Sequence, residues 1–309
     1  MFSIGVIANQ NSKLYRVNPG RVSTLEKTLG ERGIFRATND IKDLEATAIL
    51  FKSKNIDILA ISGGDGTCAL TLTKFIEVYG TQILPKIALL RGGTMNTTAA
   101  SLKIKGSPEK ILKDLLSKLE RNEDLVIAER NILKVNNDYG FIFGNGFFHN
   151  FLKIYYERAY PSVFKGFCLL SRAVISAAFN LKFSKEILHN FQAEMIVDGK
   201  KIDEKIFLSI NCATIPYIGF GFNPYPKVLK NKDKFHLLGF PPKPFSVAKH
   251  MPEFFLGKEL SDTDFIDITA GEVIIETKEP QGYQLDGDLK LGGNTIILRA
   301  GPRLKFIVG

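Results

Sequence analysis

Two patterns of hydrophobic and polar positions divide the chain, and they change near residue 125. Before that point, short continuous apolar runs alternate with segments of helical spacing. The runs predict strands at 2–8, 34–38, 56–62 and 86–93. The spaced segments predict helices at 22–33, 43–54, 67–80 and 94–102, and a further helix that begins at Ser107 and Pro108. Buried strands that alternate with helices indicate a parallel sheet covered on both faces.

Beyond residue 125 the pattern becomes that of β-strands separated by short turns, such as the one at 197–200. Strands are predicted within 125–137, 138–148, 191–202, 205–215, 234–240, 264–277 and 294–308. A helical insertion is predicted at 151–183. We therefore expect two domains: an α/β domain at 1–124 and an antiparallel β domain at 125–309. Whether the last strand returns to the first domain is left open.

Composition narrows the class of protein. A hydrophobic content of 45% and a charged content of 24% indicate a folded chain rather than a disordered one. The net charge of +9 favours anionic partners such as nucleotides, nucleic acid or an acidic lipid leaflet. A merely solvated basic surface is the alternative. We expect no nucleic-acid partner, because no stretch is dense enough in Lys and Arg to form a nucleic-acid-binding arm.

The cysteines and the apolar stretches bear on the cellular compartment of the protein. Cys68, Cys168 and Cys212 are odd in number and far apart, so they predict neither a disulfide framework nor a zinc motif. The first ten residues lack the charged start and long apolar core of a signal peptide. No apolar run is long enough for a transmembrane helix. We expect a cytoplasmic protein whose contact with membranes is peripheral.

Three glycines surround one aspartate in the stretch Ser62-Gly-Gly-Asp-Gly-Thr67, between a predicted strand and a predicted helix. Ligands of open α/β sheets bind at the carboxyl ends of strands. Glycines allow the backbone to approach a ligand, and the N–H groups at a helix start favour phosphate. Phosphate repels a neighbouring carboxylate unless the carboxylate binds Mg²⁺ or the proton of a hydroxyl group. Asp65 therefore indicates phosphate transfer rather than simple phosphate binding. A simple connecting turn is the alternative.

Two further segments follow the same logic. Residues 91–96 (Arg-Gly-Gly-Thr-Met-Asn) come after the next strand and again begin a helix, so the two glycine loops are expected to face each other across one crevice. A helix-capping turn is the alternative. The third segment, 283–288 (Tyr-Gln-Leu-Asp-Gly-Asp), comes late in the chain. Its Asp-Gly pair is equally typical of a hairpin turn.

The order of these segments resembles the diacylglycerol kinase catalytic family, in its compact bacterial form of lipid kinases related to sphingosine and ceramide kinases. The family's GGDGT motif is intact at Gly63–Thr67. Its PxGTxND loop is similar to 91–97, its late DGE motif to 286–288, and its first NPxSG loop to 9–13. The stretch 219–238 resembles the glycine-rich segment that leads to the family's DDG turn.

The resemblance implies a nucleotide-binding α/β domain at 1–124, followed by a β-sandwich-like, lipid-acceptor domain at 125–309. It further implies transfer of the γ-phosphate of ATP, with Mg²⁺, to a hydroxyl of a lipid such as diacylglycerol, in a cleft between the two domains. Asp65 would lie near Mg²⁺ and the transferring phosphoryl group, and Asp288 would be the base. The residues that would hold ATP are Asn9, Ser12, Thr38, Gly63, Gly64, Gly66, Thr67, Gly93, Thr94 and Asn96.

The acceptor would lie near Phe147, Phe148 and His149, where the family has a GFDA segment; a structural role for His149 is the alternative. Within the insertion, ten apolar residues are flanked by Lys153, Arg158, Lys165, Arg172 and Lys182. This mixture suits an anionic membrane surface, and equally a buried helix pair whose cations extend to solvent. Oligomeric state is left open, a homodimer included.

Several positions depart from the family's motifs. Gln10 and Lys13 replace Pro and Gly in the first loop, Thr97 replaces the aspartate of the second, and Asp288 replaces a glutamate. The family's metal-holding DDG turn is reduced to 231–234 (Asn-Lys-Asp-Lys), so a weak or missing structural metal is expected there.

Two other functions fit the same residues. An NAD kinase shares GGDGT, although its late Asn-Glu pair is matched here only by Asn122-Glu123 in a charged helix end. A binding protein that has lost catalysis is suggested by the departures from the family motifs, while the intact Asp65 argues against it.

Overall fold

A computed structural model describes residues 3–157, 187–219, 221–231 and 233–308. The chain divides into two compact units. The first contains the residues up to Arg130 together with those from Arg303 onward, and the second contains Asn131–Pro302.

The first unit is built on parallel strands, as the apolar runs predicted. Its strands are β1 (Ile4–Asn9), β2 (Gly33–Thr38), β3 (Ile58–Ser62) and β4 (Lys86–Leu89), in the order β2-β1-β3-β4. Phe306, near the end of the last strand of the chain, pairs in parallel with Ile87 of β4. The helices are α1 (Lys13–Val17), α2 (Gly20–Leu29), α3 (Ile41–Ser53), α4 (Asp65–Tyr79), α5 (Thr97–Ser101) and α6 (Pro108–Glu120).

Both faces of this sheet are covered, which explains why its strands are almost continuously apolar. Alternate residues of a strand point to opposite faces. Ile4, Val6 and Ala8 of β1 pack in one cluster with leucines of α2 and α6. On the other face, a Cβ atom on Gly5 would lie 2.2 Å from the Phe51 ring of α3. The parallel sheet with helices on both faces is therefore confirmed.

The second unit is antiparallel, as the alternating pattern predicted. Its strands are β5 (Ile127–Val135, which begins in the first unit), β6 (Asp138–Gly140), β7 (Ile142–Asn145), β8 (Phe191–Val197), β9 (Lys200–Phe207), β10 (Ser209–Ala213), β11 (Phe235–Phe240), β12 (Ile266–Ala270), β13 (Glu272–Thr277), β14 (Tyr283–Leu285), β15 (Asp288–Lys290) and β16 (Thr295–Ile307, which ends in the first unit). Its helices are α7 (Phe147–Glu157), α8 (Pro244–Lys249) and α9 (Met251–Leu256).

Two layers of strands enclose the core of this unit. One layer has the order β16-β13-β8-β9, with β5 beside β16, and the other has the order β12-β11-β10-β7-β14-β15. Side chains from both layers form one buried cluster, including Met195 of β8, Cys212 of β10 and Val273 of β13. The sandwich-like arrangement follows from strands that each bury one face.

Some element boundaries differ from the predicted ones. The helix after β3 begins at Asp65 rather than at Thr67, so half of the glycine motif is helical. The predicted strand at 138–148 ends at Asn145, and Phe147 already begins α7. Helices α8 and α9 were not predicted, because their six residues each are too short to show helical spacing.

The predicted insertion is described only in part. Its first residues, 151–157, lie in α7. The rest, including Arg158, Lys165, Arg172, Lys182 and Cys168, lies outside the described residues. Within the described ranges, no helix is long and apolar enough to cross a membrane.

Candidate active site

Four loops of the first unit begin at one edge of the parallel sheet. Strand register places Asn9 opposite Thr38, and Ala8 opposite Ser62. Ile61 likewise lies opposite Leu89, two residues before the second glycine loop. These strands therefore end level with one another, at the carboxyl edge where α/β sheets bind ligands.

The two glycine loops lie directly against each other. A Cβ atom on Gly92 would lie 2.7 Å from the amide nitrogen of Gly63. A Cβ atom on Gly93 would lie 2.3 Å from the Cα atom of Gly64. No side chain fits between two backbones at this distance, so glycine is required at the contact. The two loops are neighbours, as the sequence predicted, but their backbones are in contact where a crevice between them was expected.

The first glycine loop is also joined to the loop after β1. Asn9 Nδ2 donates a hydrogen bond to Thr67 Oγ1 over 2.8 Å. The backbone oxygen of Asn9 accepts from the amide of Ser12, and its Oδ1 accepts from the amide of Asn11. A Cβ atom on Gly63 would meet the Thr67 side chain at 2.4 Å, so Thr67 fills the space that Gly63 leaves. Asn9, Gly63 and Thr67 thus form one packed group.

Asp65 connects the first glycine loop to the helix that follows the second. Its Oδ2 accepts from the amide of Thr97 at 2.9 Å, and its Oδ1 accepts from the amide of Thr98 at 3.1 Å. Burial raises the pKa of Asp65, although these hydrogen bonds act to lower it. The carboxylate predicted to hold a metal therefore also holds the start of α5, a structural task that the sequence pattern did not reveal.

Asn96 fixes the shape of the second loop. Its backbone has a φ of 48°, in the left-handed region that asparagine tolerates better than most residues. Its side chain accepts from the amide of Gly93 at 2.9 Å and donates to the carbonyl of Gly93 at 2.7 Å. The buried Asn96 side chain is thus engaged with its own loop, while Thr94 is exposed.

Two polar groups at this edge, one on Ser12 and one on Arg91, have no hydrogen-bond partner among the described residues. The buried Ser12 hydroxyl makes no hydrogen bond within the described part of the chain, and neither does the buried Nε of Arg91. Thr38 is buried, and Gly66 is half-buried in the first turn of α4. A buried donor without a partner costs free energy, so a bound polar ligand would relieve these two groups.

In the second unit, the aspartates of the late motif have different environments. Asp286 and Gly287 form the turn between β14 and β15, with φ angles of 51° and 91°. The Asp286 carboxylate accepts from the amides of Phe141 and Ile142 at 2.9 Å, so this side chain anchors the turn. Asp288, the predicted base, is exposed at the first position of β15. The hairpin turn that the sequence left as an alternative is present here.

The three residues predicted to line the acceptor site lie in the first turn of α7. The Phe147 ring lies 6.0 Å from that of Phe151, and the Phe148 ring lies 6.0 Å from that of Phe240. The His149 imidazole packs against Gly282, where a Cβ atom would lie 2.5 Å from Nε2. All three are half-buried in packing contacts, and their role towards an acceptor stays a prediction.

Comparison with known proteins gives a family match for the first unit. Residues 3–128 match the model of the diacylglycerol kinase catalytic domain. The first unit is therefore similar to the catalytic domain of the diacylglycerol kinase family. A crystal structure of a diacylglycerol kinase from Bacillus anthracis str. Sterne is similar, with a TM-score of 0.71 at 16% identity, and the match covers 100% of this chain and 97% of that one. A second structure from the same organism has a TM-score of 0.73 at 18% identity and covers 99% and 97%.

A more distant neighbour is yeast NADH kinase in complex with NADH. It aligns with a TM-score of 0.51 at 10% identity, over 100% of this chain and 84% of that one. At these identities the likeness to the solved structures concerns the fold alone. A search of curated proteins gave no match.

The structure also shows a buried pair of hydroxyl groups in the first unit that the sequence did not predict. Tyr15 of α1 lies with its hydroxyl 2.5 Å from Oγ of Ser62, at the end of β3. Burial raises the pKa of Tyr15, and both residues are buried. No motif marks Tyr15. The nearest signal is its place three residues after the predicted phosphate-binding Ser12.

The segment that corresponds to the family's late metal-binding turn is 231–234 (Asn-Lys-Asp-Lys). The amide of Asp233 donates to Oδ1 of Asn231, and Lys232 lies outside the described residues. Among the described residues, no group of three or more His, Cys, Asp or Glu could hold a metal ion.

Proposed function

We propose that this chain is an ATP-dependent lipid kinase, with diacylglycerol as the first acceptor to test. The observation that carries the proposal is the contact between the two glycine loops, joined by Asp65 to the start of α5. This arrangement leaves backbone N–H groups and one carboxylate at the carboxyl edge of a parallel sheet. Phosphoryl transfer needs such positioning and charge stabilisation more than covalent chemistry.

The residues at this edge fit a nucleotide. The backbones of Gly64 and Gly93 pack against each other and stay partly exposed at this edge, where phosphate oxygens can approach their N–H groups. The unpaired Ser12 hydroxyl supplies a further donor, and the buried Thr38 adds a polar group opposite Asn9. Their placement supports the proposed role of these residues in holding ATP.

The residues also fit a metal that comes with the nucleotide. Magnesium in kinases is commonly held by one or two carboxylates together with phosphate oxygens and water. Asp65 would provide the protein ligand, because it is the one acidic residue of the two glycine loops; its carboxylate also accepts hydrogen bonds from the amides and side chains of Thr97 and Thr98. Mg²⁺ would supply charge neutralisation on the phosphate oxygens.

The acceptor side of the proposal rests on Asp288. In the transfer step the lipid hydroxyl oxygen forms a bond to the γ-phosphorus, the bond from that phosphorus to ADP breaks, and the hydroxyl proton passes to the Asp288 carboxylate. We place the reaction at an anionic membrane surface, where a diacylglycerol resides. Sedimentation with phosphatidylglycerol vesicles, against phosphatidylcholine vesicles, tests this part of the proposal.

The kinase proposal is tested by transfer of labelled γ-phosphate from ATP and Mg²⁺ to hydroxyl lipids in mixed micelles. Asp65→Asn should lower the rate at least a hundredfold, because it removes the carboxylate from the transfer site. Asp57→Asn is a matched control: Asp57 also accepts from a backbone amide, that of Ser3, but at the opposite end of β3. Equal rates in the Asp65 variant and the wild type would contradict the assigned role.

An NAD kinase is the second candidate, since yeast NADH kinase shares the fold. The same assay with NAD as acceptor separates the two. Labelled NADP without labelled lipid would replace the lipid-kinase proposal. Bound ATP with no labelled product would instead indicate a binding protein that has lost catalysis.

A further inference from the structure

Arg91 is the cation of the second glycine loop, and no described residue of this chain pairs with its guanidinium. It lies two residues after the end of β4, and no acidic residue lies between positions 91 and 97. Its Nε is buried without a hydrogen-bond partner, and within the described ranges its guanidinium makes no hydrogen bond or ion pair. Buried polar groups in proteins are otherwise almost always paired.

The backbone at Arg91 adds a second, independent observation. Its φ of 55° lies in the left-handed region, which a residue with a Cβ atom enters only at a cost. The next two positions are glycines, which would adopt this conformation without that cost. A non-glycine residue in such a conformation points to a role for its side chain.

The position of Arg91 suggests what would satisfy it. It lies between Leu90, whose amide donates to Ile61 at the end of β3, and Gly92, which contacts Gly63. The residue thus stands at the carboxyl edge of the sheet, beside bare backbone suited to an anion. Guanidinium presents five donors in a planar fork that matches phosphate.

We propose that Arg91 is a phosphate-binding residue that contacts the polyphosphate chain of the bound nucleotide. The inference deepens the proposed kinase function and rests on it for the identity of the ligand. The resemblance to the family does not supply it, because the family's loop carries proline at this position. Arg91 gives this loop its only formal charge.

The test is a series of ligands that differ in phosphate. Affinities of the full chain for ATP, ADP, adenosine and inorganic tripolyphosphate are measured by calorimetry for the wild type and Arg91→Met. A charged hydrogen bond is worth about 1.5–3 kcal/mol, so ATP and tripolyphosphate should bind about tenfold to a hundredfold more weakly to the variant. The affinity for adenosine should change less than about twofold. Arg91→Lys should recover only part of the loss, because ammonium lacks the planar fork.

Arg130→Met is the matched control. Arg130 also has a buried Nε without a partner among the described residues, but its NH1 donates to the carbonyl of Glu129, and it lies on β5 and belongs to neither glycine loop. Its replacement should leave the difference between ATP and adenosine unchanged.

A second variant separates binding from folding. Arg91→Gly removes the side chain and suits the positive φ, so its Tm should equal or exceed that of the wild type while ATP binding weakens as in Arg91→Met. A Tm lowered by several degrees in Arg91→Gly, with ATP and adenosine equally weakened, would show a structural role and overturn the proposal.

The outcomes also separate this inference from the kinase proposal. If ATP is transferred to lipid and Arg91→Met binds ATP like the wild type, the inference about Arg91 is wrong and the kinase proposal stands. If the wild type transfers no phosphate but binds tripolyphosphate through Arg91, the phosphate site stands and the kinase proposal fails.

Discussion

At the scale of single residues, two aspartates show how differently buried carboxylates can be stabilised. Asp65 is held by two backbone amides, and burial nevertheless raises its pKa. Asp267 of β12 is held by His236 at 2.5 Å and by Lys227 at 2.9 Å. Burial alone would raise the pKa of Asp267, but the hydrogen bonds from His236 and Lys227 lower it to about 2. The two carboxylates should therefore affect stability with opposite signs as the pH changes.

For Asp267 we predict stability that is present above pH 4 and lost as the pH falls through 2. A pKa lowered from 3.8 to about 2 corresponds to about 2 kcal/mol of the free energy of unfolding. Asp267→Asn should lower the free energy of unfolding by about this amount at pH 7. Between pH 4 and 2, the free energy of unfolding of the variant should depend less on pH than that of the wild type. Denaturant titrations at several pH values measure this. A wild-type slope retained in the variant would contradict the assignment.

For Asp65 the sign is reversed. Because its folded pKa is raised, the folded state binds a proton more readily than the unfolded state above pH 3.8. The free energy of unfolding should therefore gain a favourable contribution as the pH falls from the raised pKa towards 3.8. The difference in stability between wild type and Asp65→Asn, measured from pH 7 to 4, should reveal this contribution. A difference that does not vary with pH would argue against the burial of this charge.

At the scale of elements, the active-site edge depends on how closely two loops approach. Gly93→Ala should disrupt the site, because its Cβ atom would lie 2.3 Å from the Cα atom of Gly64, and backbone cannot rotate away as a side chain can. We expect a loss of roughly 2–4 kcal/mol of stability, in the range of overpacking and backbone effects, together with loss of nucleotide binding. Thermal unfolding with and without ATP measures both.

Gly20→Ala is the control for this substitution. Gly20 begins α2, and a Cβ atom there would meet nothing within 4 Å. Alanine should leave the protein unchanged or stabilise it by up to about 1 kcal/mol, since glycine costs more conformational entropy on folding. Equal behaviour of the two variants would mean that the loops separate more easily than their packing indicates.

At the scale of the whole molecule, the first unit depends on the end of the chain. Leu304, Phe306 and Ile307 are buried, and Phe306 pairs with Ile87 of β4. Burial of three such side chains is worth roughly 5–9 kcal/mol, which is comparable to the entire stability of an ordinary domain.

Truncation after Pro302 should therefore prevent the first unit from folding. Limited proteolysis should show cleavage within residues 1–130, and nucleotide binding should be lost. Phe306→Leu, which keeps much of the apolar volume, should cost only about 1 kcal/mol and should retain binding. A truncated chain that still resists protease would show that the last strand is dispensable.

The sequence alone determined the fold class, the order of most elements and the edge at which the site lies. These follow from local rules: continuous apolar runs for strands buried on both faces, alternation for the sandwich strands, and glycines where β3 and β4 end. The short helices α8 and α9 and the early start of α7 were missed, because six residues or an aromatic first turn show no helical period.

Only the tertiary structure decided which partner each polar group has. Asp65 holds the start of α5, Asp286 anchors a hairpin while Asp288 is exposed, and the Nε of Arg91 has no hydrogen-bond partner in the described ranges; each of these facts depends on residues distant in the chain. Residue type and spacing show which groups can donate or accept. Pairing depends on distance in space, and the two glycine loops come within contact only because β3 and β4 are neighbours in the folded sheet.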